Sequence, residues 1–182
     1  MIYLTLDTNI LIYTVEESWR ESNSLDFIEQ WISNGSITLL LPEVILQEWE
    51  RNKEKEFDNQ KKRLNEFFEF ANNVLPSAFF TKYKNQDSQK VIIDSQLQRI
   101  EKLLSGCERI PLYDEVKQRV IQNGIERKAP SHSKGSIGDA VIVFSLIEYA
   151  KKNINNDYFF ISNNTRDFFN EDNKSIHIDL SR

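Results

Sequence analysis

A single cysteine, Cys107, stands in a chain of 182 residues. No internal disulfide can form, and that cysteine usage fits a reducing, cytoplasmic compartment. Proline and glycine are also scarce, at four and five residues, so no linker-like stretch divides the chain. No internal repeat is present, and nothing approaches the roughly 18 consecutive apolar residues of a membrane span. The opening MIYLTLDTN lacks the basic region and cleavage site of a signal peptide. Positive charge is in deficit, with 23 Lys and Arg against 28 Asp and Glu for a net charge of -5. That argues against a general nucleic-acid coat, which binds by neutralising phosphates, although a cluster of cation-binding carboxylates leaves the same acidic total. What is present, 40% hydrophobic and 28% charged residues, is the makeup of one globular domain over residues 1–182 with a sizeable core.

The first strong pattern is LTLDTNILIY, Leu4 to Tyr13. An apolar run from Ile2 stops at Asp7, and a second apolar run follows Thr8 and Asn9, which reads as a buried strand delivering a carboxylate to its carboxyl end. Open α/β sheets keep their chemistry there. The plain alternative is an N-cap, with Asp7 or Thr8 satisfying the first amides of a helix beginning near Asn9. Helical spacing returns at Leu25 to Ile32 and ends at Asn34 and Gly35. Ile37 to Leu41 is a second apolar run closed by Pro42, giving strand, helix, strand, the pattern of a parallel unit.

Pro42 then opens a helix over PEVILQEWERNK. At about 100° per residue, Glu48 falls at the edge of the apolar arc of Val44, Ile45, Leu46 and Trp49, while Glu43 and Glu50 fall outside it. A Glu at the core boundary reaching water is the alternative. Residues 50–70 predict a long solvated helix with one apolar stripe, broken near Ala71 to Ser77. A second helix from about Ser88 to Leu104 completes a helical hairpin laid over the sheet. After a brief extended piece at Ile110 to Tyr113, Asp114 caps a helix reaching Asn123 and Gly124. The helix Ala140 to Ala150 is apolar nearly all round, with Asp139 at its start along the same inward arc; here too an N-cap is the alternative. Upstream, Arg127, Lys128 and Lys134, with Gly135 and Gly138, form a basic loop suited to a backbone phosphate, or a plain surface loop. Tyr158 to Ile161 is a further apolar run emptying into SNNTRDFF, and Ile176 and Ile178 suggest an edge strand after it. His132 and His177 are isolated and read as surface residues.

Asp7, Glu48, Asp139 and the pair Asn164 and Asp167 thus follow strands or open helices at places that emerge on one side of a parallel sheet. Converging carboxylates repel one another unless a divalent cation holds them. The set LDTNILI, the inward Glu of LPEVILQEWE, GDAVIVFSL and FISNNTRDF resembles the PIN domain nucleases, in the family's order and across nearly the whole chain. With a helical insertion at about residues 50–125, the chain looks more like the larger bacterial PIN-like group than the compact toxins. The resemblance implies a three-layer α/β/α sandwich around a parallel sheet of about five strands. It implies hydrolysis of phosphodiester bonds, most of all in single-stranded RNA, with single-stranded DNA as the other substrate, in a toxin or defence role. It implies Mg²⁺ or Mn²⁺ as cofactor and Asp7, Glu48 and Asp139 as the acidic centre. Asn164 and Asp167 complete the expected metal set, Asn9 and Ser162 orient the carboxylates, and Arg127, Lys128 and Lys134 hold the substrate. An antitoxin or defence-system partner and a homodimer are compatible with it, and a membrane is not.

One departure stands out. Where many members carry a fourth acid after the last core strand, this chain has Ser162, Asn163 and Asn164. The strand direction points Ser162 and Asn164 to the same side, so Asn164 is the favoured positional equivalent, presenting a neutral oxygen, with Asp167, a further turn along, filling the role instead if it turns inward. A competing reading is a catalytically silent module that binds RNA or protein. An aspartyl phosphatase would want an Asp two residues after Asp7, where Asn9 stands.

Overall fold

The computed structural model describes residues 1–17, 24–74, 86–131, 137–170 and 175–180. Four strands, β1 (Ile2–Leu6), β2 (Ile37–Pro42), β3 (Glu108–Ile110) and β4 (Asp157–Ile161), form one parallel sheet in the order β3-β2-β1-β4. The chain starts in the middle of the sheet, builds outward to β3, then crosses back to place β4 beside β1. The expected sheet had about five strands. In place of the last, Ile176 makes one antiparallel bridge to Phe169. The chain turns immediately afterwards, with the Leu180 amide donating to the His177 carbonyl at 2.8 Å, so no ladder can extend.

Strand side chains alternate between two faces, and helices cover both faces of the sheet's centre, while Phe159 and Ile161 leave one face of β4 exposed. On one face Leu4, Leu6, Leu39 and Leu41 pack with Leu11 of α1 (Thr8–Glu17), Leu25 and Ile28 of α2 (Ser24–Ser33), and Ile45 and Trp49 of α3 (Glu43–Val74). Ile100, Leu103 and Leu104 of α4 (Gln86–Ser105) join the same core. On the other face Leu40, Tyr3 and Phe160 meet α6 (Ile137–Lys152), which in turn packs on Val116 and Val120 of α5 (Asp114–Glu126). A single turn, α7 (Thr165–Phe168), follows β4. This is the three-layer α/β/α arrangement.

Local stops differ in detail from the sequence pattern. Asn34 and Gly35 end α2 as expected, with Gly35 at φ +73° and the Ser36 amide reaching back to the Trp31 carbonyl at 2.8 Å. Helix α3 continues past Ala71, which is itself buried, to Val74. Asp114 is not the cap of α5: extended Tyr113 holds that position, and Asp114 pairs with Lys117 at 2.8 Å. The same helix runs through Gly124 and ends on Arg127, whose left-handed φ of 52° turns its amide onto the Asn123 and Gly124 carbonyls.

With 32 residues, α3 is about 48 Å long. Its first turns sit on the sheet. Further out, Leu64 and Phe68 pack against Ile93, flanked by Phe57 and Leu97, making a small core belonging to the hairpin alone. Arg99 of α4 clasps α2, forking onto Glu29 at 2.8 and 2.6 Å and also bonding Asp26. No described helix is long and apolar enough to cross a membrane. Because Ile100 is fully buried where hairpin meets sheet, Ile100→Ala should cost about 2–5 kcal/mol in denaturant unfolding. Phe70, 66% exposed, should change stability by less than about 0.5 kcal/mol on replacement by Ala.

Candidate active site

Asp7 leaves β1 at the carboxyl end of the sheet and does two jobs. Its amide donates to Ile161 of β4 at 2.9 Å, adding a rung to the sheet, and its carbonyl accepts from Ile10 and Leu11 to open α1. Its side chain is buried at 2% exposure. Carboxylate Oδ2 accepts from Asn9 Nδ2 at 2.7 Å and from the Ser162 hydroxyl at 2.5 Å. Burial pushes the Asp7 carboxyl above its ordinary range, opposed by Ser162, by the Thr8 and Asn9 amides and by the Asn9 side chain. Asp7 therefore opens α1 with its backbone and brings a buried carboxylate to the end of the sheet.

The loop after β4 is stitched to the start of α1. Ser162 Oγ accepts the Asn164 amide at 2.9 Å and meets Asn9 Nδ2 at 3.3 Å, while Asn9 Oδ1 accepts the Asn163 amide at 3.2 Å. Asn9 and Ser162 thereby fix the orientation of the Asp7 carboxylate from behind.

Glu48 lies in the second turn of α3, half-buried, and Thr8 donates its hydroxyl to Glu48 Oε2 at 2.7 Å. Asp139 stands at the start of α6, inside its first turn rather than at the N-cap position that was the alternative. Gly138, expected in the preceding loop, is also helical and stands against the Glu48 carboxylate. Burial pushes Asp139 up to about 7, and the neighbouring charges of Asp7, Asp167 and Glu48 add to the shift against the opposing Asn164 amide. Three elements distant in sequence thus act on one carboxyl through charge.

The region after β4 departs from expectation. Asn164 does not present an oxygen to the acids. Its side-chain oxygen caps α7 by accepting the Asp167 amide at 3.4 Å, and its Nδ2 donates to Asp139 Oδ2 at 3.0 Å and Asp167 Oδ2 at 2.9 Å. Asp167 is turned inward and only 6% exposed. The cause is α7: Phe168 packs edge-on against Phe160 of β4 with ring centroids 5.2 Å apart, and that contact winds the chain back over the sheet end. An extended continuation of β4 would have pointed Asn164 inward instead. The pair of phenylalanines directly after Asp167 was the sequence signal for this turn.

Four carboxylates, Asp7, Glu48, Asp139 and Asp167, therefore share one partly buried end of the sheet. Among the described residues no three acidic, His or Cys side chains stand close enough to grip one ion as they are; Thr8 and Asn164 hold them in place around the gap. The donor set consists of hard carboxylate oxygens whose repulsion is already felt by Asp139, which suits a divalent oxygen-seeking cation rather than a thiolate-bound metal.

The basic residues are less engaged. Arg127 and Lys128 are exposed at the end of α5, and Lys128 is paired with Glu126 rather than free for a phosphate. Lys134, Gly135 and His132 lie outside the described residues. His177 sits 3.5 Å from Asp179, which itself accepts the Ala129 amide at 3.0 Å. Thr8, read from sequence only as a cap, and Gly138 are the two neighbours of Glu48 that spacing alone did not single out.

A family model described as PIN domain matches residues 4–168, from β1 through α7, and so includes all four carboxylates. Neither a curated protein nor a solved structure matches the chain.

Proposed function

We propose, from the premise that this chain belongs to the PIN domain family, a family of nuclease type, that it is a Mg²⁺- or Mn²⁺-dependent endoribonuclease cutting single-stranded RNA. The observation that carries this reading is the shared field of Asp7, Glu48, Asp139 and Asp167 at the carboxyl end of the sheet. Those four side chains would hold the cation. When bound, it supplies Lewis acidity, making water easier to deprotonate and offsetting negative charge on the phosphate.

The remaining roles belong to the chain itself. Glu48, tethered by Thr8, orients the attacking water and takes its proton. Asn9 and Ser162 keep the Asp7 carboxylate from rotating, and Asn164 spans Asp139 and Asp167 in the same way, which preserves site geometry between turnovers. Arg127 and Lys134 would hold substrate phosphates. A toxin or defence role in the cytoplasm, with an antitoxin or defence-system partner and a homodimeric state, belongs to the same reading. The competing reading, a silent RNA- or protein-binding module, draws on Asn164 standing where many members carry an acid.

Labelled RNA and DNA incubated with Mg²⁺, with Mn²⁺ and with EDTA separate the two readings: the nuclease cuts RNA only with metal, and the silent module never cuts. Mn²⁺ at about 100 times its dissociation constant should add roughly 2.7 kcal/mol of stability, or about 5–10 °C in Tm. Asp7→Asn should abolish that rise. A variant that melts and responds to Mn²⁺ as the parent does means the assigned metal site is wrong.

A further inference from the structure

We propose that Gly138 is a positioning residue for Glu48: the absent Cβ at Gly138 reserves the space for one Glu48 carboxylate oxygen, while Thr8 holds the other. The inference rests on the nuclease reading for its consequence but on packing for its geometry. A Cβ built on Gly138 would overlap Glu48 Oε1 and come within 3.3 Å of Cδ. The second oxygen, Oε2, accepts the Thr8 hydroxyl at 2.7 Å. The carboxylate is therefore fixed at both ends, by residues from α1 and α6, although it belongs to α3.

Backbone geometry does not ask for glycine here. Among the described residues the positive-φ glycine is Gly35, whereas Gly138 has ordinary helical backbone. Glycine is among the poorest helix formers, so its presence in the first turn of α6 calls for another cause, and space for Glu48 supplies one. The overlapping atom is the far end of a flexible side chain. Alanine would consequently displace the carboxylate and leave the backbone in place, breaking the Thr8 bond as it does so.

Two thermal-melt series test this. In the first, Gly138→Ala without metal should melt at or above the parent's temperature, yet need at least tenfold more Mn²⁺ for its half-maximal rise in Tm. Glu48→Ala should weaken the Mn²⁺ response similarly, and adding Gly138→Ala to it should weaken it no further, because the contested space is then empty. A Gly138→Ala protein with the parent's Mn²⁺ response overturns the proposal. So does one that melts far below the parent, or a loss that adds in full to that of Glu48→Ala.

The second series needs no metal. Thr8→Val should lower the Tm of the parent but not of Gly138→Ala, where the bond is already broken; equal losses in both backgrounds overturn the positioning role. If the parent ignores Mn²⁺ altogether, the metal-dependent reading fails by itself, and this second cycle still decides the role of Gly138.

Discussion

Asp139→Asn is expected to stabilise the metal-free protein while stopping cleavage. The Asp139 carboxyl is raised to about 7 by burial and then by the charges of Asp7, Asp167 and Glu48. A folded-state value above the unfolded one means that the folded chain holds this proton more tightly. Its favourable contribution is complete below about pH 4 and is lost as pH rises through about 7. The substituted amide would carry no charge at any pH, and its oxygen could still accept from the Asn164 side chain. Discounted for the partial exposure of the group and for the lost helix-end attraction, the gain at pH 8 should be roughly 1–3 kcal/mol, falling to about zero near pH 4. Cleavage should fall by at least about 100-fold, since the charge that draws the cation is gone. Melting curves in EDTA from pH 4 to 8 check the first half, and cleavage assays with Mn²⁺ the second. Parallel pH profiles for parent and variant would remove Asp139 from the acidic cluster.

Asn164→Asp should be the opposite case, a substitution that harms both stability and activity. In place of an amide donating to Asp139 and Asp167 it would set a third carboxylate between them, with two bonds lost and repulsion gained. The cost at pH 8 should be about 2–4 kcal/mol, relieved by acid or by excess Mn²⁺. Had Asn164 held the fourth acidic position, as the strand period favours, the added acid would instead tighten a second ion and raise activity at low Mn²⁺. Asp167→Asn, removing a carboxylate that is 6% exposed, should cut activity about 100-fold with little loss of stability. Cleavage rate against Mn²⁺ concentration distinguishes the assignments: an Asn164→Asp protein that outperforms the parent at low Mn²⁺, beside an unimpaired Asp167→Asn, restores Asn164 as the fourth position.

What was legible in the sequence was what periodicity encodes. Asp7 closes a continuous apolar run, Glu48 lies on the inward arc of an amphipathic helix, and Asp139 opens a helix apolar all round; the parallel strand-helix-strand unit and the helical hairpin follow from the same patterns. What was not legible depends on contacts between segments far apart. The inward turn of Asp167 is set by Phe168 meeting Phe160, and a strand extrapolated by its own period cannot foresee that. The engagement of Lys128 with Glu126 and the hold of Thr8 on Glu48 are likewise choices among partners that spacing leaves open. Gly138 looked like loop punctuation because glycine usually is, whereas its meaning here lies in another element's side chain.

The Ser162 to Asp7 bond joins residues 155 positions apart, and the strand that leads into Ser162 docks beside the strand that leads into Asp7. During synthesis from the amino terminus, β1 must therefore wait with its inner edge unpaired while β2, the hairpin and β3 are made. Asp7 has Asn9 beside it from the start but gains Ser162 only after residue 162 has left the ribosome, and Asp139 meets Asn164 and Asp167 later still. At about 5–20 residues per second, Asp7 has been out for roughly 8–30 seconds before its carboxylate is held in place. A site assembled in this order is incomplete in the nascent chain, and translation stalled before residue 162 leaves a product that lacks the Ser162 hold on Asp7.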